Sequence, residues 1–359
     1  MLKLNLSSEG IIVFDIGGTW FRSGYITGEG KLIEFSKTPA VNFKNSPLLK
    51  VDELQEKLVS YIVSETLRLQ KEIREFCIKR AAISIGAAVK GYTGYILNSG
   101  PLWGIHSKPI NLLMLLRKRI PTINWTILND LTAALLWHVS QTQKKFNKAS
   151  LFTISTGIGS RIYDRYANEI PLDEALGIQG EIGHLPITFQ IEQKNIEQYC
   201  DCGGLNHLNA FCSGRGIEAL LPCVSKHFIT EFKTSTLKNK DIEELRFVDL
   251  VDSIRKGDSF AQKVIDLVTF PIAEILLRLF TFDPKIDLVF ITGGVVHSLQ
   301  PYYERSLLKH LRKLGLYLVC DFDPEFFQKR IEVKDSDEQA GLWGAALSAS
   351  FGKEKLMSH

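Results

Sequence analysis

One short device occurs twice in this chain, and it constrains the fold more than any other feature. Ile11 to Ile16 is a β-branched apolar run carrying into Asp15-Ile16-Gly17-Gly18-Thr19. Leu151 to Ile154 is a second run, carrying into Ser155-Thr156-Gly157-Ile158-Gly159. Each predicts a strand, a glycine turn and a returning strand, with Ser23 to Thr27 returning after the first and Ser160 to Tyr163 after the second. One such opening per half is a weak internal repeat of the kind that marks a duplicated domain. A length of 359 residues suits two domains sharing a cleft.

The rest of the pattern is α/β. Gly28-Glu29-Gly30 reads as a hairpin turn into a strand at Lys31 to Ser36. Apolar residues at helical spacing predict a long helix over Val51 to Cys77, and a strand follows at Ala81 to Ile85 before Gly86. Lys90 to Lys108 reads as a loop, Ile110 to Leu116 as helix, Trp125 to Leu128 as a strand running into Asn129-Asp130, and Leu131 to Val139 as helix. A helix over Ser259 to Phe280 contains Pro271, which is expected to kink or divide it. Ile286 to Ile291 is a buried-type strand ending in Thr292-Gly293-Gly294, and the last helix covers Glu338 to Ser350. The expected organisation is a five-stranded sheet in each domain. The first domain takes residues 1–129 with the last helix at 338–359 crossing back, and the second takes 130–337, with a hinge near Asp130.

Composition excludes several classes. The apolar runs are broken by charge or glycine too early to span a membrane, and Met1 to Gly10 lacks the apolar core of a secretion signal, so a cytoplasmic protein is expected. A net charge of +3 on 43 basic and 40 acidic residues gives no reason to invoke nucleic acid or an anionic membrane. Six cysteines in such a chain do not predict a disulfide framework.

Chemistry concentrates in a few places. Gly17 and Gly18 allow a sharp turn whose N–H groups can hold phosphate oxygens, Asp15 can hold Mg²⁺, and Thr19 adds a hydroxyl. Thr156, Gly157 and Gly159 repeat that logic, so that a nucleotide lies with its phosphates held from both sides. Asp130, between a strand and a helix, reads either as a helix cap or as a carboxylate at the sheet's C-terminal rim, where ligands gather. Phosphoryl transfer needs such a carboxylate to take the acceptor's proton. Gly180-Glu181-Ile182-Gly183-His184 and Cys200-Asp201-Cys202-Gly203-Gly204-Leu205-Asn206-His207 bring His184, Cys200, Cys202 and His207 to spacings that suit tetrahedral Zn²⁺, with Cys212 as a substitute ligand. Cys77, Cys223 and Cys320 read as packing residues.

The order D-I-G-G-T, N-D, T-G-I-G, G-E-I-G-H, C-x-C-G-G and a late G-G resembles the ROK family of sugar kinases and related repressors, over Ile11 to Ser350. The resemblance implies a two-domain actin-like ATPase fold, of the ribonuclease H-like kind, with an ATP and sugar cleft between the domains. It implies Asp130 as the base, Asp15 and the two glycine turns serving Mg-ATP, and Gly293 and Gly294 lying against the adenosine. Asn98, Asn129, Asp130, Glu181 and His184 would contact sugar hydroxyls. His184 would also ligate a structural zinc that fixes its orientation. Family members are often homodimers.

The sequence departs from the family pattern on the sugar side. His207 stands at the third zinc-loop cysteine, Asn206 replaces a glycine, and Asn209 stands where a sugar-binding Glu is expected. Gly86-Ala87-Ala88-Val89-Lys90 lacks the Pro-Gly of the first sugar loop. The expectation is an ATP-dependent kinase acting on a hexose-like sugar, such as glucose or an amino sugar, with a cyclitol as the alternative acceptor. A sugar-responsive repressor is the reading from another class. Only ten residues precede Ile11, with no basic helical segment for a helix-turn-helix. A non-catalytic sugar-binding protein would not need Asp15, Asp130 and both glycine turns.

Overall fold

A computed structural model describes residues 10–73, 78–91, 93–104, 108–173, 175–176 and 179–350. Cys77 and the tail 351–359 lie outside the described residues. The described residues of Met1–Lys145, Arg161–Gln179 and Asp337–His359 form one compact unit, and those of Phe146–Ser160 and Gly180–Ser336 a second.

The first unit opens with β1 (Ile11–Ile16), β2 (Trp20–Ile26) and β3 (Leu32–Pro39), followed by α1 (Val51–Glu72) and β4 (Arg80–Ile85). Then come β5 (Ala88–Lys90), β6 (Tyr95–Asn98), α2 (Gly100–Trp103), β7 (Ile110–Asn111), α3 (Leu112–Arg119), β8 (Asn124–Asn129) and α4 (Asp130–Gln141). The main sheet has the order β3-β2-β1-β4-β8. β1, β2 and β3 pair antiparallel, whereas β4 runs parallel to both β1 and β8. Strands β1, β4 and β8 therefore end at one edge, with Ile16, Ile85 and Asn129 in one row. Their alternation buries Ile12, Phe14, Ile83 and Ile127 in one apolar cluster with Leu58 and Ile62 of α1.

Two local expectations are corrected here. The predicted loop over Lys90 to Lys108 instead contributes to a three-stranded sheet, β5-β6-β7, and the short α2. Strands of two to four residues are too short to show a period. Gly94 makes their turn at φ +70, where a Cβ would stand 2.5 Å from that of Leu113. The expected boundary at Asp130 also shifts, because α4 groups with the first unit, packed on the final helix α14.

The second unit starts with β9 (Lys148–Ile154) and β10 (Ile158–Asp164), the latter running on into residues of the first unit. It continues through β11 (Phe189–Ile191), β12 (Lys194–Ile196), α5 (Leu208–Cys212), α6 (Gly214–His227), α7 (Ile229–Thr234), α8 (Phe247–Arg255) and α9 (Ser259–Phe282). β13 (Ile286–Thr292), α10 (Gly294–Ser298), α11 (Tyr302–Leu314), α12 (Val319–Phe322), α13 (Phe326–Arg330) and β14 (Ile331–Val333) complete it, and α14 (Ala340–Ser350) belongs to the first unit. The sheet order is β10-β9-β13-β14, so four strands replace the expected five among the described residues. Among the described residues β11 and β12 pair only with each other.

Pro271 does not divide α9. The helix is capped by Asp258, which accepts the Phe260 and Ala261 N–H groups, and it is buried along its length. That packing outweighs the single backbone bond a proline removes. Among the described residues no helix is long and apolar enough to cross a membrane.

Candidate functional site

In the first unit the parallel strands deliver the site residues to one edge. Asp15 sits opposite Ser84 on β4, and the Ser84 hydroxyl donates to Asp15 Oδ1 at 3.0 Å. Arg22, opposite Asp15 on β2, pairs with Oδ2 at 3.0 Å. Burial pushes the Asp15 carboxyl up, and Arg22 and Ser84 oppose that rise. α14 crosses so closely that a Cβ on Gly341 would stand 2.3 Å from Asp15 Oδ1. The following turn is equally tight. Gly17 N–H donates to Trp20 O at 3.0 Å, a Cβ on Gly18 would stand 2.7 Å from Pro101 Cβ, and Ala40 N–H donates to Thr19 O.

One row along, Asn129 is the N-cap of α4, its Oδ1 accepting the Leu131 N–H at 2.9 Å while its Nδ2 donates to Ala87 O at 2.9 Å. The capping role weighed for Asp130 thus belongs to its neighbour, although Asp130 Oδ1 also accepts the Leu131 N–H at 2.9 Å. Asp130 Oδ2 faces Gly86, where a Cβ would stand 3.3 Å from it. Asn98 pairs with Ala88 across β5 and β6, and Ser99 Oγ donates to Gly86 O at 2.7 Å. Asp15, Asn98 and Asn129 from three strands, Gly86 just past a fourth and Asp130 from one helix are therefore gathered at one rim.

In the second unit β9 and β13 run parallel with Thr153 opposite Thr292, so both glycine turns leave the same edge. Gly293, at φ +115, lies so close to β9 that a Cβ would stand 2.3 Å from Ile154 O. Ser155 N–H donates to Gly157 O, and Gly214 N–H donates to Ser155 O at 2.7 Å. Sequence reasoning missed that Ser213-Gly214-Arg215-Gly216 joins this turn, because the only signal was a serine cap opening α6. Asn209 Oδ1 accepts the Ile158 N–H at 2.7 Å, which engages that oxygen in holding the turn of Thr156, Gly157 and Gly159.

Beside that turn stand His184, Cys200, Cys202 and His207, with ligand atoms all within 4.8 Å of one another. Cys202 Sγ lies 3.2 Å from His207 Nδ1, and Cys200 Sγ lies 4.0 Å from His184 Nδ1. Zn–S and Zn–N bonds of ordinary length put tetrahedral S···N edges at about 3.6 Å, between those two values. The donor set fits the ion. Cys212 is buried in α5 outside this group, with its thiol pushed up by burial, so His207 is the better fourth ligand. Cys223 and Cys320 are free thiols, partly buried. His184 N–H donates to Glu181 O at 3.0 Å. Thr156, His184, Cys200, Asn209, Ser213 and Arg215 line one open depression.

The model of the ROK family matches residues 11–350. The chain is 34% identical over 342 residues to a 2-epi-5-epi-valiolone 7-kinase of Actinoplanes sp., covering 94% of this chain and 92% of that one. It is 27% identical over 323 residues to a C(7)-cyclitol 7-kinase of Streptomyces hygroscopicus subsp. jinggangensis, covering 88% of each. Among solved structures it is similar to a ROK family glucokinase from Streptomyces griseus in complex with glucose and AMPPNP. The TM-score is 0.69 at 17% identity, covering 96% of this chain and all of that one.

Proposed function

This chain belongs to the ROK family, and from that premise we propose that it is an ATP-dependent kinase whose acceptor is a C7-cyclitol such as 2-epi-5-epi-valiolone. The observation that carries the chemistry is Asp130. Its carboxylate stands where the parallel strands end, facing Gly86, on a helix start capped by the residue before it. In this reading the acceptor hydroxyl gives its proton to Asp130 as its oxygen bonds to the γ-phosphorus. The bond from that phosphorus to the β–γ bridging oxygen breaks, and ADP leaves.

The glycine turns suit the phosphates. A Cβ on Gly157 would meet nothing nearer than Asn209 Oδ1 at 3.9 Å. Packing does not demand glycine there, whereas close approach of a phosphate does. Backbone N–H groups of Gly18, Thr156, Gly157 and Gly159, with the Thr19 hydroxyl, hold phosphate oxygens, while the Gly17 N–H closes the turn on Trp20 O, and Gly293 and Gly294 lie against the adenosine. Asp15, whose carboxylate also meets Arg22 and Ser84, would hold Mg²⁺, and the ion would supply charge neutralisation to the phosphates. Asn98, Asn129, Glu181 and His184 bind acceptor hydroxyls. Asn209 shares that work through its amide nitrogen, one lone pair of its oxygen already accepting the Ile158 N–H. A structural Zn²⁺ on His184, Cys200, Cys202 and His207 fixes the His184 ring.

The acceptor class rests on the 34% identity over nearly the whole chain and on the altered sugar-side residues. ADP release is to be measured with C7-cyclitols, hexoses and amino sugars, with the phosphate located by ³¹P NMR. Highest kcat/KM on a C7-cyclitol is expected. Preference for a hexose or amino sugar removes the cyclitol reading, and no turnover on any acceptor removes the kinase.

A further inference from the structure

Among the described residues Arg161 is the most deeply buried charged side chain, at 2% exposed. It lies on β10, two residues beyond Gly159, and its Nε donates to Thr132 Oγ1 at 3.3 Å. Thr132 is itself buried, in the first turn of α4, two residues after Asp130.

This placement is costly in two ways. A guanidinium withdrawn from water must be answered by partners. A cation set against the first turn of a helix also stands at the positive end of its dipole. A fold that keeps a cation there is handling negative charge, and the helix turn in question begins with the carboxylate the reaction needs. Arg161 follows the phosphate turn along the same strand, so its backbone is fixed by sheet pairing before its side chain reaches α4.

We propose that Arg161 is a positioning residue for Asp130, locking the first turn of α4 through Thr132 and so aiming the carboxylate at the acceptor hydroxyl. The proposal rests on the kinase reading above.

The test uses the full chain with the acceptor it turns over best. R161Q is expected to lose about 100-fold in kcat, the cost of a small misplacement of a reacting group. KM for ATP and the melting temperature should stay near wild type. R161K and T132V should lose less. R161A should regain turnover with added guanidinium and not with urea, which has a similar planar shape without the charge.

Unchanged kcat in R161Q overturns the proposal, and so does equal recovery of R161A by urea. Should the Arg161 variants not fold, T132V decides, because it keeps the charge and removes only the hydroxyl. Unchanged kcat in T132V then overturns the proposal. A wild-type chain inactive on every acceptor instead sinks the kinase reading.

Discussion

The turn after β1 and the turn after β9 share one backbone plan, but their surroundings differ in charge. Asp15 carries a carboxylate held by Arg22 and Ser84, under a helix that leaves room only for Gly341. The turn of Ser155 to Gly159 has no acid. A neutral carboxamide, Asn209, holds it from one side, and two thiols and two imidazoles stand beside it. Both turns join two strands through glycine, and the side chains around them differ. The first region carries the acids that the proposed metal binding and proton transfer would require, and the second carries neutral donors and a Cys/His group that fits a metal.

That contrast is open to direct attack. Asp130→Asn should lower kcat by about 10³-fold or more while acceptor binding persists, since a general base contributes up to about 10⁴-fold. ATP consumption and calorimetry together check this, and an active variant would place the proton transfer elsewhere. Cys202→Ser should lose zinc by elemental analysis and weaken acceptor affinity by about 10-fold or more through His184. Wild-type protein without zinc would break the metal side of the comparison.

Arg22→Gln should cost about 3 kcal/mol near neutral pH, because it leaves a buried carboxylate without its cation. Burial already holds the Asp15 carboxyl above its usual range. A carboxyl with a folded pKa above its unfolded one binds its proton more tightly when folded, so stability falls as pH rises between the two values. Losing Arg22 raises the folded value further, and the melting deficit of the variant should be larger at about pH 7 than at about pH 4. A deficit independent of pH would mean the pair matters only as packing.

Gly341→Ala should cost about 2 kcal/mol by overpacking against Asp15, read by denaturant unfolding. Asn209→Ala, which strands the Ile158 N–H, should cost about 1 kcal/mol. A larger loss there than in Gly341→Ala would reverse the ranking of the two turns.

Much of the site was legible in the sequence, because its parts are local. Asp15-Ile16-Gly17-Gly18-Thr19, Asn129-Asp130 and the Cys/His loop each declare themselves within a few residues. The strands around them were found with shifted ends, Ser23 to Thr27 becoming Trp20–Ile26 and Leu151 to Ile154 becoming Lys148–Ile154. The sheet over residues 88–111 was missed because its strands are too short to carry a period, and of the two outcomes expected at Pro271, division did not occur because tertiary burial held α9 together.

By itself the sequence determined the doubled strand and glycine turn, the acid at a strand end and a donor set matched to zinc, since backbone conformation and ligand chemistry are properties of neighbouring residues. Only the tertiary structure decided that Ser84 holds Asp15 from 69 positions away, that Gly341 caps the same carboxylate, and that His207 rather than Cys212 stands with His184, Cys200 and Cys202. Those pairings are set by how strands register and helices cross, and a linear order of residues carries no measure of that distance.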